Sequence, residues 1–326
     1  MYGKTPVTNT WRFFRAVLTN QLARELPRLY VKLTGQTGRG QEPESVQQIA
    51  EYFWQCFHDY FHTLGIPFAQ IEEYLTGKQV LEYGPGDVPA VGVLMLAHGA
   101  ASVVCVDRFP LYSLSNTNVQ VLATLIDKLP ARLQERVRSI FVKEGDPASG
   151  FLESRLCYLV SPSGLSGLEH TVDLIVSRAV LEHVDDLDST FVDIQRALRN
   201  NGVAVHQVDL KSHGLHQQNP LDFLTWPQQL WTWMYGRKGY INRWRLDRYR
   251  AALATAGLKT LLLQPTAQAG AKEMQEVRPH LAAPFRQLTD EDLSCLGFWL
   301  VCAPQHRRRE ERTEKTEPTP RLAARF

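Results

Sequence analysis

The run Val80-Leu81-Glu82-Tyr83-Gly84-Pro85-Gly86-Asp87, followed by Val103-Val104-Cys105-Val106-Asp107, combines the residue types needed to cradle a nucleoside cofactor. The apolar residues predict a buried strand over 79–83 that runs into two glycines, where missing side chains let the backbone approach a ligand. A second strand over 102–106 delivers Asp107, a carboxylate suited to gripping two ribose hydroxyls. A dinucleotide turn carries a third glycine so that a pyrophosphate can sit on the next helix N-terminus, but that slot is Pro89 here. Glu82 would repel a pyrophosphate, whereas it can support the cationic end of a cofactor that bears an amino acid.

A second run, Val172-Asp173-Leu174-Ile175-Val176-Ser177-Arg178-Ala179-Val180-Leu181-Glu182-His183-Val184, reads as another strand and the turn after it. With both motifs in this order, the chain resembles the class I S-adenosylmethionine-dependent methyltransferases, whose first motif is an acidic residue, x, Gly, x, Gly. The resemblance covers residues 78–210 well and 246–304 more loosely; the N-terminal third and 211–245 lie outside the common core. It implies an α/β fold with a doubly wound, seven-stranded, mostly parallel sheet and S-adenosylmethionine as cofactor. Glu82, Tyr83, Gly84, Gly86 and Asp107 are then expected to carry the cofactor, and Ser177 and Arg178 to line its methionine part. With the third strand at Leu156–Val160, Ser161 or Ser163 falls beside the adenine; a strand at 139–143 would give that place to Asp146.

Open parallel sheets bind ligands beyond the carboxyl ends of their strands, so the acceptor is sought in the insert after the fifth strand, residues 211–245. Four of the seven tryptophans lie there. Trp226, Trp231 and Tyr235 are expected to form an acceptor wall, with Arg243 able to pair with a carboxylate or phosphate; packing within a helical lid is the other reading of these residues. Methyl transfer to a hydroxyl also needs a base. His213 is the first candidate and Asp209 the second; His183 is a rival, while His206, mid-strand, is read as core. No convincing carboxylate cluster is found, so no metal is expected.

These groups must be positioned by elements that the pattern outlines. Residues 1–76 read as a helical cap, with Ile49 to Leu64 carrying an aromatic stripe. Residues 77–304 read as the catalytic domain, with a helix capped by Asp188 and ended by left-handed geometry at Asn200-Asn201-Gly202. The last two strands are placed at 258–264 and 297–302, separated by a second insert, 266–296, with a helix start at Thr289. Residues 305–326 read as a disordered charged tail.

The chain of 326 residues, 44% hydrophobic and 21% charged, is ordinary for a globular protein. Its net charge is +2, and residues 306–326 hold six Arg and one Lys against four Glu, which leaves the body at −1. A near-neutral body argues against a nucleic-acid surface. Five dispersed cysteines fit a reducing, cytoplasmic setting, and no membrane span is read. The expectation is methyl transfer to a small-molecule acceptor, most readily at oxygen. Its rivals are an RNA methyltransferase, a non-catalytic cofactor-fold protein and an oxidoreductase. The oligomeric state is not written in the sequence.

Overall fold

Seven strands carry the apolar runs: β1 (Gln79–Tyr83), β2 (Ser102–Asp107), β3 (Leu156–Val160), β4 (Val172–Arg178), β5 (Leu198–Asp209), β6 (Leu258–Gln268) and β7 (Cys295–Pro304). The computed structural model describes residues 10–34, 44–213 and 218–305. The strands form one sheet in the order β3-β2-β1-β4-β5-β7-β6. Every pair is parallel except those of β7, which runs antiparallel to both β5 and β6. Strand order reverses between β1 and β4, and such a switch point opens a crevice beyond the carboxyl ends. Pairing of Tyr83 with Val106 and Ser177 sets Gly84, Asp107 and Arg178 side by side at that edge.

Each face of the sheet is covered by a separate core. On one face, the helix Ala90–Ala97 is wholly buried, because the helix Val46–Thr63 packs over it. The longer helix starts at a capping box, in which Ser45 accepts from the Gln48 amide and the Gln48 side chain from that of Ser45. Its apolar residues recur at three-to-four spacing, so Ile49, Phe53, Phe57, Tyr60 and Phe61 all turn inward. Burying one such side chain stabilises the fold by roughly 1.5–3 kcal/mol. The other face is closed by the helices Leu187–Ala197 and Leu246–Ala256, the latter ended by left-handed Gly257.

Some sequence expectations hold and others shift. The third strand is Leu156–Val160, and the alternative at 139–143 forms only a single bridge, Phe141 to Phe151, because it turns back on its own loop. Residues 111–138 yield two helices, Asn116–Asp127 and Ala131–Arg138, with Pro130 between them. Asp186 caps the helix after β4, accepting from the Ser189 amide; Asp188 lies inside that helix and pairs with Arg248. Asn200-Asn201-Gly202 continue into β5 instead of making a left-handed end. At Gly202 a Cβ would come within 2.9 Å of Leu198 and 3.0 Å of the Val172 carbonyl, so glycine serves close approach there. The tail from 306 lies outside the described residues.

The two inserts share a third core. Leu221, Phe223, Leu224, Trp231 and Ile241 pack against Met274, Val277, Leu281, Phe285 and Leu293. The N-terminal helix Thr10–Glu25 leans on the first insert, and the helix Pro27–Thr34 packs back on it. Buried Asn20 donates to the Trp233 carbonyl at 2.9 Å and accepts the Arg237 amide at 2.7 Å. Among the described residues, no helix is long and apolar enough to cross a membrane.

Candidate active site

A cavity of about 300 Å³ opens at the carboxyl ends of β1, β2 and β4. Its floor is the turn after β1, with Tyr83, Gly84 and Gly86. Gly84 has φ 66°, and a Cβ there would stand 2.3 Å from Val180, itself a wall residue. No other residue type fits without a shift, so the backbone is left bare to a ligand. Asp107 ends β2 on the opposite wall, where one carboxylate oxygen accepts the Phe109 amide at 3.0 Å. Burial pushes its pKa up to about 6.

The loop after β3 supplies Ser163 and Gly164. Asp193 fixes that loop by accepting the Ser166 and Gly167 amides at 2.7 and 3.1 Å, and it also holds the Tyr83 hydroxyl. Across the cavity, Arg108 makes two hydrogen bonds to Asp185, at 2.7 and 2.6 Å, joining the segments after β2 and β4. Phe109, Leu111, Val180, Leu181 and Val184 give the remaining wall an apolar stretch, beside Arg178, His183 and Thr190.

Of the cofactor residues expected from sequence, Tyr83, Gly84, Gly86, Asp107 and Arg178 meet on this cavity. Arg178 is also tied to Asp59 at 2.7 Å. Glu82 lies behind the turn, 5% exposed, accepting from the Cys105 thiol at 3.6 Å, and burial raises its pKa to about 7. Ser177 is fully buried between strands, 2.7 Å from Nδ1 of His206. Ser161 stands outside the cavity, bonded to Ser163 at 3.0 Å.

The acceptor candidates sit elsewhere. Trp226, Trp231 and Tyr235 cluster together, with centroids 4.8–6.3 Å apart, and none touches the cavity. Arg243 is buried and donates to the Phe223 and Trp226 carbonyls at 3.1 and 2.7 Å, which makes it the tie of the insert. The insert reaches the cavity through Gly239, whose φ of 69° and 3.0 Å approach to Phe109 exclude a side chain.

The candidate bases cluster near this mouth. His183 lines the cavity, and its ring is 5.1 Å from that of His213. Nε2 of His213 lies 3.9 Å from an Asp209 oxygen. Burial drives the pKa of His183 down to about 3, with His213 adding to the effect. Burial also lowers that of His213, against the pull of Asp209. Both rings are therefore neutral near pH 7. Sequence reading missed Arg108, Asp185, Asp193 and Gly239 as wall or support residues; nearness to the ends of β2 and β4 signals Arg108 and Asp185, whereas Asp193, inside the helix after β4, and Gly239, in the first insert, carry no such signal.

The model of the family described as a methyltransferase domain matches residues 58–263, well over half of the chain. The chain belongs to that family. It is a class I S-adenosylmethionine-dependent methyltransferase, and its bare-backbone turn and carboxylate-tipped second strand fit that cofactor. No curated protein matches the methyltransferase. Among solved structures, it is similar to an S-adenosylmethionine-dependent methyltransferase from Mesorhizobium loti, at 15% identity and TM-score 0.42, covering 79% of this chain and 100% of that one. It is likewise similar to phosphoethanolamine N-methyltransferase 2 from Haemonchus contortus, at 13% identity and TM-score 0.40, covering 73% of this chain and 52% of that one.

Proposed function

We propose that this methyltransferase transfers a methyl group from S-adenosylmethionine to an oxygen of a small-molecule acceptor. The cofactor supplies a methyl group on a sulfonium, open to direct displacement. In this reading the backbone of Tyr83, Gly84 and Gly86 passes under the cofactor, Asp107 grips the ribose hydroxyls and Arg178 faces the methionine part. The apolar wall of Phe109, Leu111 and Val184 keeps water from the reacting atoms. The acceptor enters beside His183, and the Asp209–His213 pair takes up its proton.

One observation carries the choice of oxygen: a neutral imidazole and a carboxylate, 3.9 Å apart, stand at the end of β5 next to the cavity wall. A hydroxyl must lose a proton during transfer, and a positioned base contributes roughly 10²–10⁴-fold. The test is transfer of a radiolabelled methyl group to panels of hydroxyl, amine and RNA acceptors. Ether or ester products are expected, and His213→Ala should lower kcat at least about 100-fold with the KM for the cofactor unchanged. Label on RNA or on nitrogen, or full kcat in that variant, overturns the reading. So does an inert protein that binds S-adenosylhomocysteine without ever transferring a methyl group.

A further inference from the structure

We propose that Glu182, His183 and His213 form a site for one divalent transition-metal ion, of the zinc, cobalt or nickel class, on the acceptor side of the cavity. This deepens the oxygen-acceptor reading and rests on it for its catalytic role, though not for the ion itself. Each of the three residues offers a ligand atom, and these atoms lie within 4.8 Å of one another. They come from the segments after β4 and after β5, thirty residues apart, which is why the sequence-based expectation of no metal, built on a search for clustered carboxylates, passed over them.

Two further observations point to a ligand. Glu182 is 1% exposed; one of its oxygens accepts the Asp209 amide at 3.2 Å, and the other is buried with no hydrogen-bond partner. Nδ1 of His183 is likewise buried and unpartnered. Buried polar atoms almost always find partners, and an exception calls for an ion or a water. His213 in addition holds φ at 48°, a left-handed conformation that non-glycine residues adopt where the surroundings demand it.

The donor set selects the ion. Two imidazoles and one carboxylate suit divalent first-row transition ions, zinc, cobalt and nickel as well as iron(II), whereas magnesium and calcium require mostly oxygen. Three protein ligands leave a coordination position open, as in catalytic zinc sites. That position borders the cavity, because His183 is part of its wall. Metal–nitrogen bonds of about 2.0–2.1 Å bring ligand atoms to about 3.3 Å from one another, so any pair now standing wider, up to 4.8 Å, closes on binding. Asp209, 3.9 Å from Nε2 of His213, stands as the outer carboxylate.

The ion completes the proposed transfer as follows. The acceptor hydroxyl binds the open position, which lowers its pKa, and its proton passes to the Asp209 carboxylate. The oxygen lone pair forms the new O–C bond to the methyl group while the C–S bond breaks. The electron pair of that bond stays on sulfur, leaving the neutral thioether. His213 remains on the ion throughout, so the carboxylate of the Asp209–His213 pair is the group that holds the proton.

The test uses the untagged full chain, stripped of metal with a chelator. It is titrated with zinc by calorimetry and with cobalt by visible absorption. One ion per chain is expected, with the cobalt spectrum of a low-coordinate nitrogen and oxygen site and no matching response to magnesium. His213→Ala, on a partly exposed segment, should weaken binding at least about ten-fold, and the His183→Ala/His213→Ala pair should abolish it. Melting temperature and S-adenosylhomocysteine affinity, both unchanged in His213→Ala, show that the fold survives. Absence of stoichiometric binding, or equal affinity in His213→Ala, overturns the proposal and leaves water as the partner of the buried atoms. A protein that transfers methyl to oxygen yet binds no ion sinks the metal site alone; one that binds the ion but methylates nitrogen sinks the oxygen reading alone.

Discussion

Replacing Asp107 by Asn tests the proposed grip on the ribose. The carboxylate is 8% exposed, and one oxygen is already engaged with the Phe109 amide at 3.0 Å, a bond that Asn can keep. Hydrogen bonds to a charged group are worth roughly 1.5–3 kcal/mol each. Asn loses the charge and turns one acceptor into a donor, so the two ribose bonds together lose about 3 kcal/mol, or roughly 150-fold in Kd. The pH dependence follows from burial, which raises the Asp107 pKa from 3.8 to about 6. The ribose donors favour the ionised form, so S-adenosylhomocysteine affinity should be flat above about pH 6 and fall about ten-fold per unit below it.

The sign for folding is opposite to that of an ordinary ion-paired carboxylate. Between pH 3.8 and about 6 the folded protein binds more protons at this site than the unfolded chain. Asp107 therefore destabilises the ligand-free protein at neutral pH, and the penalty fades as pH falls from about 6 towards 4. Calorimetry in two buffers of different ionisation enthalpy should record proton release on binding at pH 5.5. Asp107→Asn should remove both the release and the pH slope. An Asn variant within three-fold of the parent affinity, or one that keeps the slope, refutes the reasoning.

Gly84→Ala puts a Cβ 2.3 Å from Val180 at a φ of 66°, so a loss of about 2–3 kcal/mol is expected, read as a fall of about 5–10 °C in Tm; Val180→Ala in the same chain should recover part of it. Arg243→Met should destabilise the chain by about 3 kcal/mol, because it leaves the Phe223 and Trp226 carbonyls without their donor. Hydrogen exchange should localise that loosening to residues 221–244, with cofactor affinity unchanged. Removing the Arg108–Asp185 pair by Arg108→Ala should cost less than about 1 kcal/mol in stability, since both side chains are partly exposed. It should nonetheless speed S-adenosylhomocysteine release several-fold in stopped-flow chase experiments.

The strands that build the cofactor shelf were legible because each is a short apolar run closed by a residue of special geometry or charge, as at Gly84 and Asp107. The third strand could be placed because its spacing to β4 was ordinary and all five of its residues are apolar, against three of five in the competing run at 139–143. The end of the helix after β4 was misread. Asn-Asn-Gly is a left-handed signal in isolation, yet here the glycine answers to the Val172 carbonyl on a neighbouring strand, a contact that no local pattern encodes. The acceptor side was the least legible. Trp226 and Trp231 have the composition of a binding wall, but the second insert, more than thirty residues away in sequence, supplies the apolar surface that buries Trp231. Nothing in the residues next to Glu182 signals that one of its oxygens would be buried alone.

Because the segments on either side of β6 share a core, neither has a complete interior without the other. The Ala282 amide donates to the Leu224 carbonyl at 3.1 Å, and Nδ2 of Asn219 donates to the Glu273 carbonyl at 2.8 Å, so the two are stitched by hydrogen bonds to backbone as well as by apolar contact. Transplanting the tryptophan-rich stretch alone into a related scaffold would strand its aromatic rings in water. Variants of this architecture must therefore exchange the pair as a cassette, while the nucleoside shelf stays as it is.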